Sequence, residues 1–388
     1  MASDDPILFE IHERNLNTGL RGVPVGTCRT SAVSQDNGVS YGGYPVAELA
    51  GLPSESVIYL LFHKRLPDPS EAEAFAAELR RRAEVPQRVF DLVAQLPKEG
   101  HPMEWFVAGL VFLGMLGKTG DWREDALNCI ARVNVVTAAI FRVREGWGEP
   151  IPPRADLSYA ENFAYMLGVP NAHAQLGELL RTFHVLHMDH GGGNLSTFTG
   201  KAVASGHADV YVSLAAAMAA LYGPLHGRAN QEALRFVREV GSSDPAAVEA
   251  FVRDRLAQGG KVFGYGHAVL RAEDPRAKVQ YAFGRRHFAA DPLVKTVLAL
   301  RDVVPPILKE HEKIANPYPN VDAVSGSLLH AAGLTDDDYY TVLFGWSRVV
   351  GIGAQIVDER TQLRGGKGVP IYRPRFIAED QPARTLET

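Results

Sequence analysis

Cysteine is nearly absent from this 388-residue chain, which holds only Cys28 and Cys129. Two thiols so far apart exclude a disulfide framework or a four-cysteine metal site, and they fit a reducing compartment. A basic leader is lacking as well: MASDDPILFE carries Asp4 and Asp5 where a targeting signal carries Lys or Arg, so a cytoplasmic location is expected. Long apolar runs are missing. The most apolar stretch, Trp105 to Leu116, is bounded by Glu104 and Lys118 and is shorter than the roughly 18 residues of a membrane span, so it reads as a buried helix. Nor is there an excess of charge. With 40 Lys and Arg against 45 Asp and Glu the net charge is -5, and neither nucleic acid nor a membrane is an expected partner. The runs Arg80-Arg81-Arg82 and Arg285-Arg286 lack interleaved aromatics and read as solvated helix faces. Period-two alternation is scarce and no internal repeat is visible, which argues against an all-β or solenoid architecture.

What is present is helix punctuation in a chain of ordinary apolar content, 46%. Its length exceeds what one core usually supports, so two domains are expected. Ser70 with Glu73 forms a capping-box pattern before EAFAAELRRR and predicts a helix start. Ser243-Asp244-Pro245 supplies a cap and a first turn, Val248, Phe251, Val252 and Leu256 follow at helical spacing, and Gly259 closes the segment. Residues 125–141 and 211–222 are apolar nearly all round and predict buried helices. The strand candidates are short: 38–45 and the carboxyl-terminal IYRPRF at 371–376, where Pro374 suits an edge. The expected fold is mainly α. Gly-Pro at 223–224 and a glycine-flanked hinge near 326–333 mark a smaller domain over 228–333. It interrupts a larger one made of 1–227 and 334–388.

Three separate segments set an ionisable side chain among glycines: GPLHGRANQE (223–232), GYGHAVLRAEDPR (264–276) and NPYPNVDAVSG (316–326). They offer His226, His267 and Asp322, a set able to move a proton beside a carbonyl. A fourth segment, HVLHMDHGGGN (184–194), places His184, His187 and His190 at three-residue steps and then glycines and Asn194. On a helix those imidazoles share one broad face, which Gly191 would end. One reading is a metal site, although no HExxH pattern accompanies it. The other has His190 and Asn194 hydrogen-bonding a polar substrate. The GxG at 264–266 has no third glycine and no preceding strand, so dinucleotide binding is not expected.

Taken together, DHGGGN, GPLHGRANQE, GYGHAVLRAEDPR, NPYPNVDAVSG and GWSRVVG (345–351) resemble citrate synthase in order and spacing, over about residues 20–376. The resemblance implies a two-domain helical fold whose large and small domains close over a cleft, and an obligate homodimer. It implies an acyltransferase that condenses acetyl-CoA with oxaloacetate and hydrolyses citryl-CoA, the citrate-forming step of the tricarboxylic acid cycle. No metal and no redox cofactor would take part. Asp322 would be the base that removes the methyl proton, its apolar neighbours raising its pKa. His226 would donate a hydrogen bond to the thioester oxygen, its neutral form favoured by the helix that follows. His267 would polarise the ketone of oxaloacetate. Two carboxylates on that substrate call for planar two-pronged donors. By matching motifs, Arg276, Arg348 and Arg373 would fill those positions beside His190, Asn194 and His267, with Arg373 reaching the partner subunit. CoA would meet Val262, Gly264, Tyr265 and Gly266 in an adenine-binding turn, with Arg271, Lys313 and Arg21 near its phosphates.

Two departures affect the CoA side. Gly42 stands where the family's RGYP has arginine, and Ala315 replaces a second lysine. Rival readings are a 2-methylcitrate synthase using propionyl-CoA and an enzyme that cleaves citryl-CoA. From other classes come a non-catalytic helical scaffold and a His-rich metal hydrolase. One methylene in an acyl pocket is worth only about 1–3 kcal/mol, so the acyl group is not legible here.

Overall fold

The computed structural model describes residues 7–267 and 269–375. An antiparallel meander comes first: β1 (Ser31–Ser34), β2 (Gly38–Tyr41) and β3 (Tyr44–Pro45), with Ser31 opposite Tyr41 and Tyr41 opposite Tyr44. The strand expected over 38–45 is therefore β2, a tight turn and β3. Strand β1, with the short polar sequence SAVS, gave no sequence signal.

Helices make up most of the remaining regular structure. The first five are α1 (Val46–Leu49), α2 (Ser54–His63), α3 (Pro69–Arg82), α4 (Gln87–Ala94) and α5 (Pro102–Gly117). Next come α6 (Trp122–Glu145), α7 (Tyr159–Leu167), α8 (Leu176–His187), α9 (Leu195–Ser205) and α10 (Val210–Leu221). Five more follow: α11 (Ala229–Val240), α12 (Pro245–Ala257), α13 (Pro275–His287), α14 (Pro292–Lys309) and α15 (Asp322–Ala331). The last is α16 (Tyr340–Thr361). The mainly α expectation holds.

Local chemistry explains the boundaries. Helix α3 begins at Pro69, not after Ser70: Asp68 is the cap, accepting from the Glu71 N–H at 2.9 Å, while Glu71 accepts from the Asp68 N–H at 3.0 Å. The true capping box lies two residues upstream of the expected one, because Pro69 is suited to the first helical position and leaves the cap to Asp68. Helix α12 starts as expected, with Asp244 accepting from the Ala247 N–H at 2.9 Å and Val248 and Val252 buried. Residues 371–375 form no strand. The arm is held instead by the Tyr372 N–H on Ser205 Oγ at 3.0 Å and by the Tyr372 ring against Phe198; Phe376 lies outside the described residues.

The core lies around α16 and α6. Helix α16 packs on α6, α8, α9 and α10, and α5 packs on both α6 and α10. Helix α6 is long and apolar enough to cross a membrane, yet 89% of its apolar window is buried within the protein, as in a core helix. Helices α11 to α15 pack chiefly on one another, α11 on α15, α12 on α14, and α13 and α14 on α15. Contacts of α11 with α16, α15 with α8, and α13 with α1 tie this group to the rest.

Candidate active site

Two glycine-rich loops are stitched together edge to edge. The Gly266 N–H donates to Tyr318 O at 3.0 Å, the Asn320 N–H to Gly264 O at 2.9 Å, and the Asn320 amide to Gly266 O at 2.9 Å. Gly264 has φ of +82°, and a Cβ there would lie 2.6 Å from Ala323 Cα. Only glycine meets both demands. The stitching ties the loop that ends in His267 to the loop that ends at Asp322, the first residue of α15.

Asp322 does not cap its helix. Its own N–H is taken by Asn320 Oδ1 at 3.0 Å, and among the described residues no hydrogen bond reaches its carboxylate. Burial raises its pKa to about 6, partly opposed by Arg276 and Arg348. The residue keeps some exposure, so the carboxyl is enclosed but still reachable.

Both imidazoles have their tautomers set by the main chain. His267 Nδ1 accepts from the N–H groups of Val269 and Leu270, each at 3.0 Å. Its proton therefore sits on Nε2, free to donate. His226 lies in the turn 223–227, and its Nε2 accepts from the Ser196 N–H at 3.2 Å with Ser196 Oγ at 2.9 Å. Nδ1–H is then the outward donor. Burial, followed by Arg348, pushes the His226 pKa down to about 4. The neutral form thus rests on desolvation and a nearby guanidinium. The ring itself is pinned by the first turn of α9.

Two buried guanidiniums, Arg276 and Arg348, lie near enough to act on these groups. Arg276 and Asp274 form a buried pair, Nη2 to Oδ2 at 2.7 Å and Nε to Oδ1 at 3.1 Å. Burial works against the Asp274 carboxylate, but Arg276 outweighs it and holds its pKa below the usual range. Arg348 is 2% exposed and donates Nε to His187 O at 2.9 Å. Among the described residues no carboxylate lies within 4.0 Å of it, and burial pushes its pKa down to about 10. A buried guanidinium without a counter-ion is costly unless an anion joins it. His190 stands 5.5 Å from His267, ring to ring, and burial, Arg276 and Arg348 keep it neutral. Asn194 caps α9, its Oδ1 taking the Thr197 N–H at 3.0 Å and its amide reaching Gly191 O at 3.2 Å.

The three-histidine face does not form. Helix α8 ends at His187, and His184 and His187 point into the core, against Trp346 and Phe183. Burial pushes both pKa values to about 3. The helix stops short of Gly191 because α16 satisfies its last carbonyls: Arg348 takes His187 O and the Gly351 N–H takes Met188 O at 3.1 Å. Gly351 permits this contact, since a Cβ there would lie 2.3 Å from Met188 O. Among the described residues no group of His, Cys, Asp and Glu could hold a metal ion.

The remaining expected residues lie further out. In the 262–266 loop, Tyr265 pairs with Pro319 in an isolated bridge. Arg271 folds back on the carbonyls of Val269 and Leu270. Lys313 and Arg21 are exposed, and so is Arg373 on the carboxyl-terminal arm. Sequence reading overlooked Ser196, which only the fold brings to His226, and Asp274, which lay in view in the DPR motif. It also overlooked Thr30, Tyr41 and Gln355 behind His190, and it set Asp189 aside as pointing away from the histidines, whereas its carboxylate holds the His190 N–H.

Comparison with known proteins points to one family. A family model described as citrate synthase, C-terminal domain, matches residues 19–375. The mitochondrial citrate synthase of Daucus carota is 39% identical over 92% of this chain and 81% of its own. The peroxisomal citrate synthase of Saccharomyces cerevisiae is 35% identical over 94% and 84%. Among solved structures, the ternary complex of carboxymethyl coenzyme A and oxaloacetate with citrate synthase from Thermoplasma acidophilum superposes with a TM-score of 0.84. That pair is 26% identical over 96% of this chain and 98% of the other. The expected cytoplasmic location is corrected by these relatives: the Daucus carota protein is mitochondrial and the Saccharomyces cerevisiae protein is peroxisomal, which does not support it. The acidic amino terminus was a poor guide to compartment.

Proposed function

This chain belongs to the citrate synthase family, and from that premise we propose how its site divides two substrates. The enzyme condenses acetyl-CoA with oxaloacetate and hydrolyses citryl-CoA to citrate and CoA. The observation that carries the mechanism is the carboxylate of Asp322, which takes no hydrogen bond among the described residues, has its pKa raised to about 6 and is joined through its loop to that of His267. A methyl proton beside a thioester is weakly acidic, so the base succeeds only if the enolate is stabilised as it forms. Asp322 removes that proton. His226 Nδ1–H meets the thioester oxygen and holds the developing charge. The enolic carbon then attacks the ketone of oxaloacetate, whose oxygen is hydrogen-bonded by His267 Nε2–H. Water finally cleaves the citryl thioester, which makes the sequence irreversible.

Arg348 and the Nη1 side of Arg276 receive the carboxylates of oxaloacetate, with His190 and the Asn194 loop beside them. Arg373 is exposed in its own chain and completes this pocket in a second copy, so the active form is a homodimer. Residues 228–333 act as the smaller body that closes the cleft. Val262, Gly264, Tyr265 and Gly266 line the CoA turn, with Arg271, Lys313 and Arg21 toward the phosphates. No metal or redox cofactor enters the reaction, and the product suits the tricarboxylic acid cycle. A thiol-release assay with oxaloacetate tests the substrate: acetyl-CoA should give CoA faster than propionyl-CoA. Faster release from propionyl-CoA would replace this reading with 2-methylcitrate synthesis.

A further inference from the structure

Asp189 is fully buried, and no role assigned above uses its carboxylate. Its two oxygens are spent on three donors. Oδ2 accepts from the Thr30 hydroxyl at 2.6 Å; Oδ1 accepts from the His190 N–H at 2.8 Å and from Gln355 Nε2 at 2.8 Å. The three donors come from the start of the β-meander, from the loop after α8 and from α16. A short hydroxyl-to-carboxylate bond with both partners at or below 1% exposure is a strong, geometry-setting contact.

The same meander grips the loop at two further points. The Ser31 hydroxyl accepts from the Gly191 N–H at 2.8 Å, and the Tyr41 hydroxyl accepts from the Asp189 N–H at 3.1 Å and lies 3.1 Å from Val185 O. Its other end touches the opposite wall of the pocket. Gln35 O accepts from the Arg271 N–H at 3.0 Å, and a Cβ at Gly38 would lie 2.7 Å from Pro275 Cδ, one residue before Arg276. The β1–β2 hairpin thus reaches from the His190 loop to the turn that carries Arg276, and it spans the two sides between which oxaloacetate is held. Asp189 also offsets the charge of buried Arg348, whose field it shares with Tyr41.

We propose that Thr30 is a positioning residue for the dicarboxylate half of the site: its hydroxyl fixes Asp189, and Asp189 fixes the main chain of His190. The inference rests on the oxaloacetate reading above, because it concerns the same pocket. Thr30 is 1% exposed and acts through Asp189. Its loss should act on oxaloacetate and spare acetyl-CoA, a split that general loosening of the fold does not produce.

The test compares wild type, Thr30→Val and Thr30→Ser by steady-state kinetics, varying each substrate in turn. Thr30→Val keeps the shape and removes the hydroxyl. It should raise KM for oxaloacetate about tenfold or more, the usual worth of a hydrogen bond to a charged group, and leave KM for acetyl-CoA within about twofold. Thr30→Ser restores the donor and should restore KM. Gln355→Leu removes the second side-chain donor from another element and should give the same split, which covers a Thr30→Val protein that fails to fold. Unchanged oxaloacetate KM in folded Thr30→Val overturns the inference alone. Equal loss for both substrates, or failure of serine to rescue, overturns it too. A wild type without oxaloacetate-dependent turnover overturns the functional reading and this inference with it.

Discussion

Replacing Asp322 by asparagine should make the protein more stable and inactive. Burial raises the carboxyl from 3.8 to about 6, which means that ionising it costs more in the folded chain than in the unfolded one. One pKa unit is about 1.4 kcal/mol, so the penalty approaches about 3 kcal/mol, an upper value because the group retains some access to water. The sign follows from linkage. A carboxyl with a raised folded pKa contributes nothing unfavourable below its unfolded value near 3.8; the cost grows as pH rises and is complete above about 6. The amide of Asp322→Asn carries no charge at any pH. Urea denaturation of both proteins at several pH values should therefore give curves that coincide near pH 4 and separate by up to about 3 kcal/mol at pH 8. A variant no more stable than wild type at pH 8 would refute the reasoning that Asp322 is held under strain for proton transfer. So would a gain of equal size at pH 4.

Three further perturbations probe other parts of the site. Ser196→Ala removes the hydroxyl beside His226 Nε2, 2.9 Å away; kcat should fall about tenfold with both KM values little changed, and an unchanged kcat would show that the backbone N–H suffices. Arg348→Met replaces a buried guanidinium that has no carboxylate within 4.0 Å among the described residues and is offset only from further away by Asp189; oxaloacetate affinity by calorimetry should fall at least about 100-fold while the melting temperature of the free protein holds or rises, and a large fall in melting temperature would contradict the argument that this charge lacks a close partner. Gly42→Arg introduces the arginine that the resemblance to an RGYP pattern suggests, but Gly42 has φ of +53° and a Cβ there would lie 2.8 Å from Leu60 Cδ1; it should destabilise by about 1–3 kcal/mol without tightening CoA binding, and a gain in CoA affinity would show the loop can adapt.

Much of this arrangement was legible in the sequence because it is written in contiguous motifs. Asp322, His267 and Arg276 each lie in a glycine- or proline-marked turn, and such turns constrain a backbone strongly enough to be read locally. Burial around Asp322 could be read from its apolar neighbours, and the raised pKa followed in direction. The histidine triplet misled because a three-residue step predicts a shared face only while the helix continues. Helix α8 stops at His187, where Arg348 and Gly351 of α16 take its terminal carbonyls. Nothing between residues 184 and 194 records that partner. Ser196 and Thr30 were invisible for the same reason: their roles depend on contacts with His226 and Asp189, far away in the chain. The α3 start was misplaced by two competing capping patterns two residues apart, and Pro69 decided between them.

The central claim is that Asp322 moves the methyl proton of acetyl-CoA while oxaloacetate waits in the arginine pocket. Oxaloacetate-dependent thiol release from acetyl-CoA, measured at pH 8 for wild type and for folded Asp322→Asn, tests it most directly. The account predicts release by wild type and a loss of at least about 100-fold in the variant, the usual contribution of a general base. Release by the variant at the wild-type rate would contradict it.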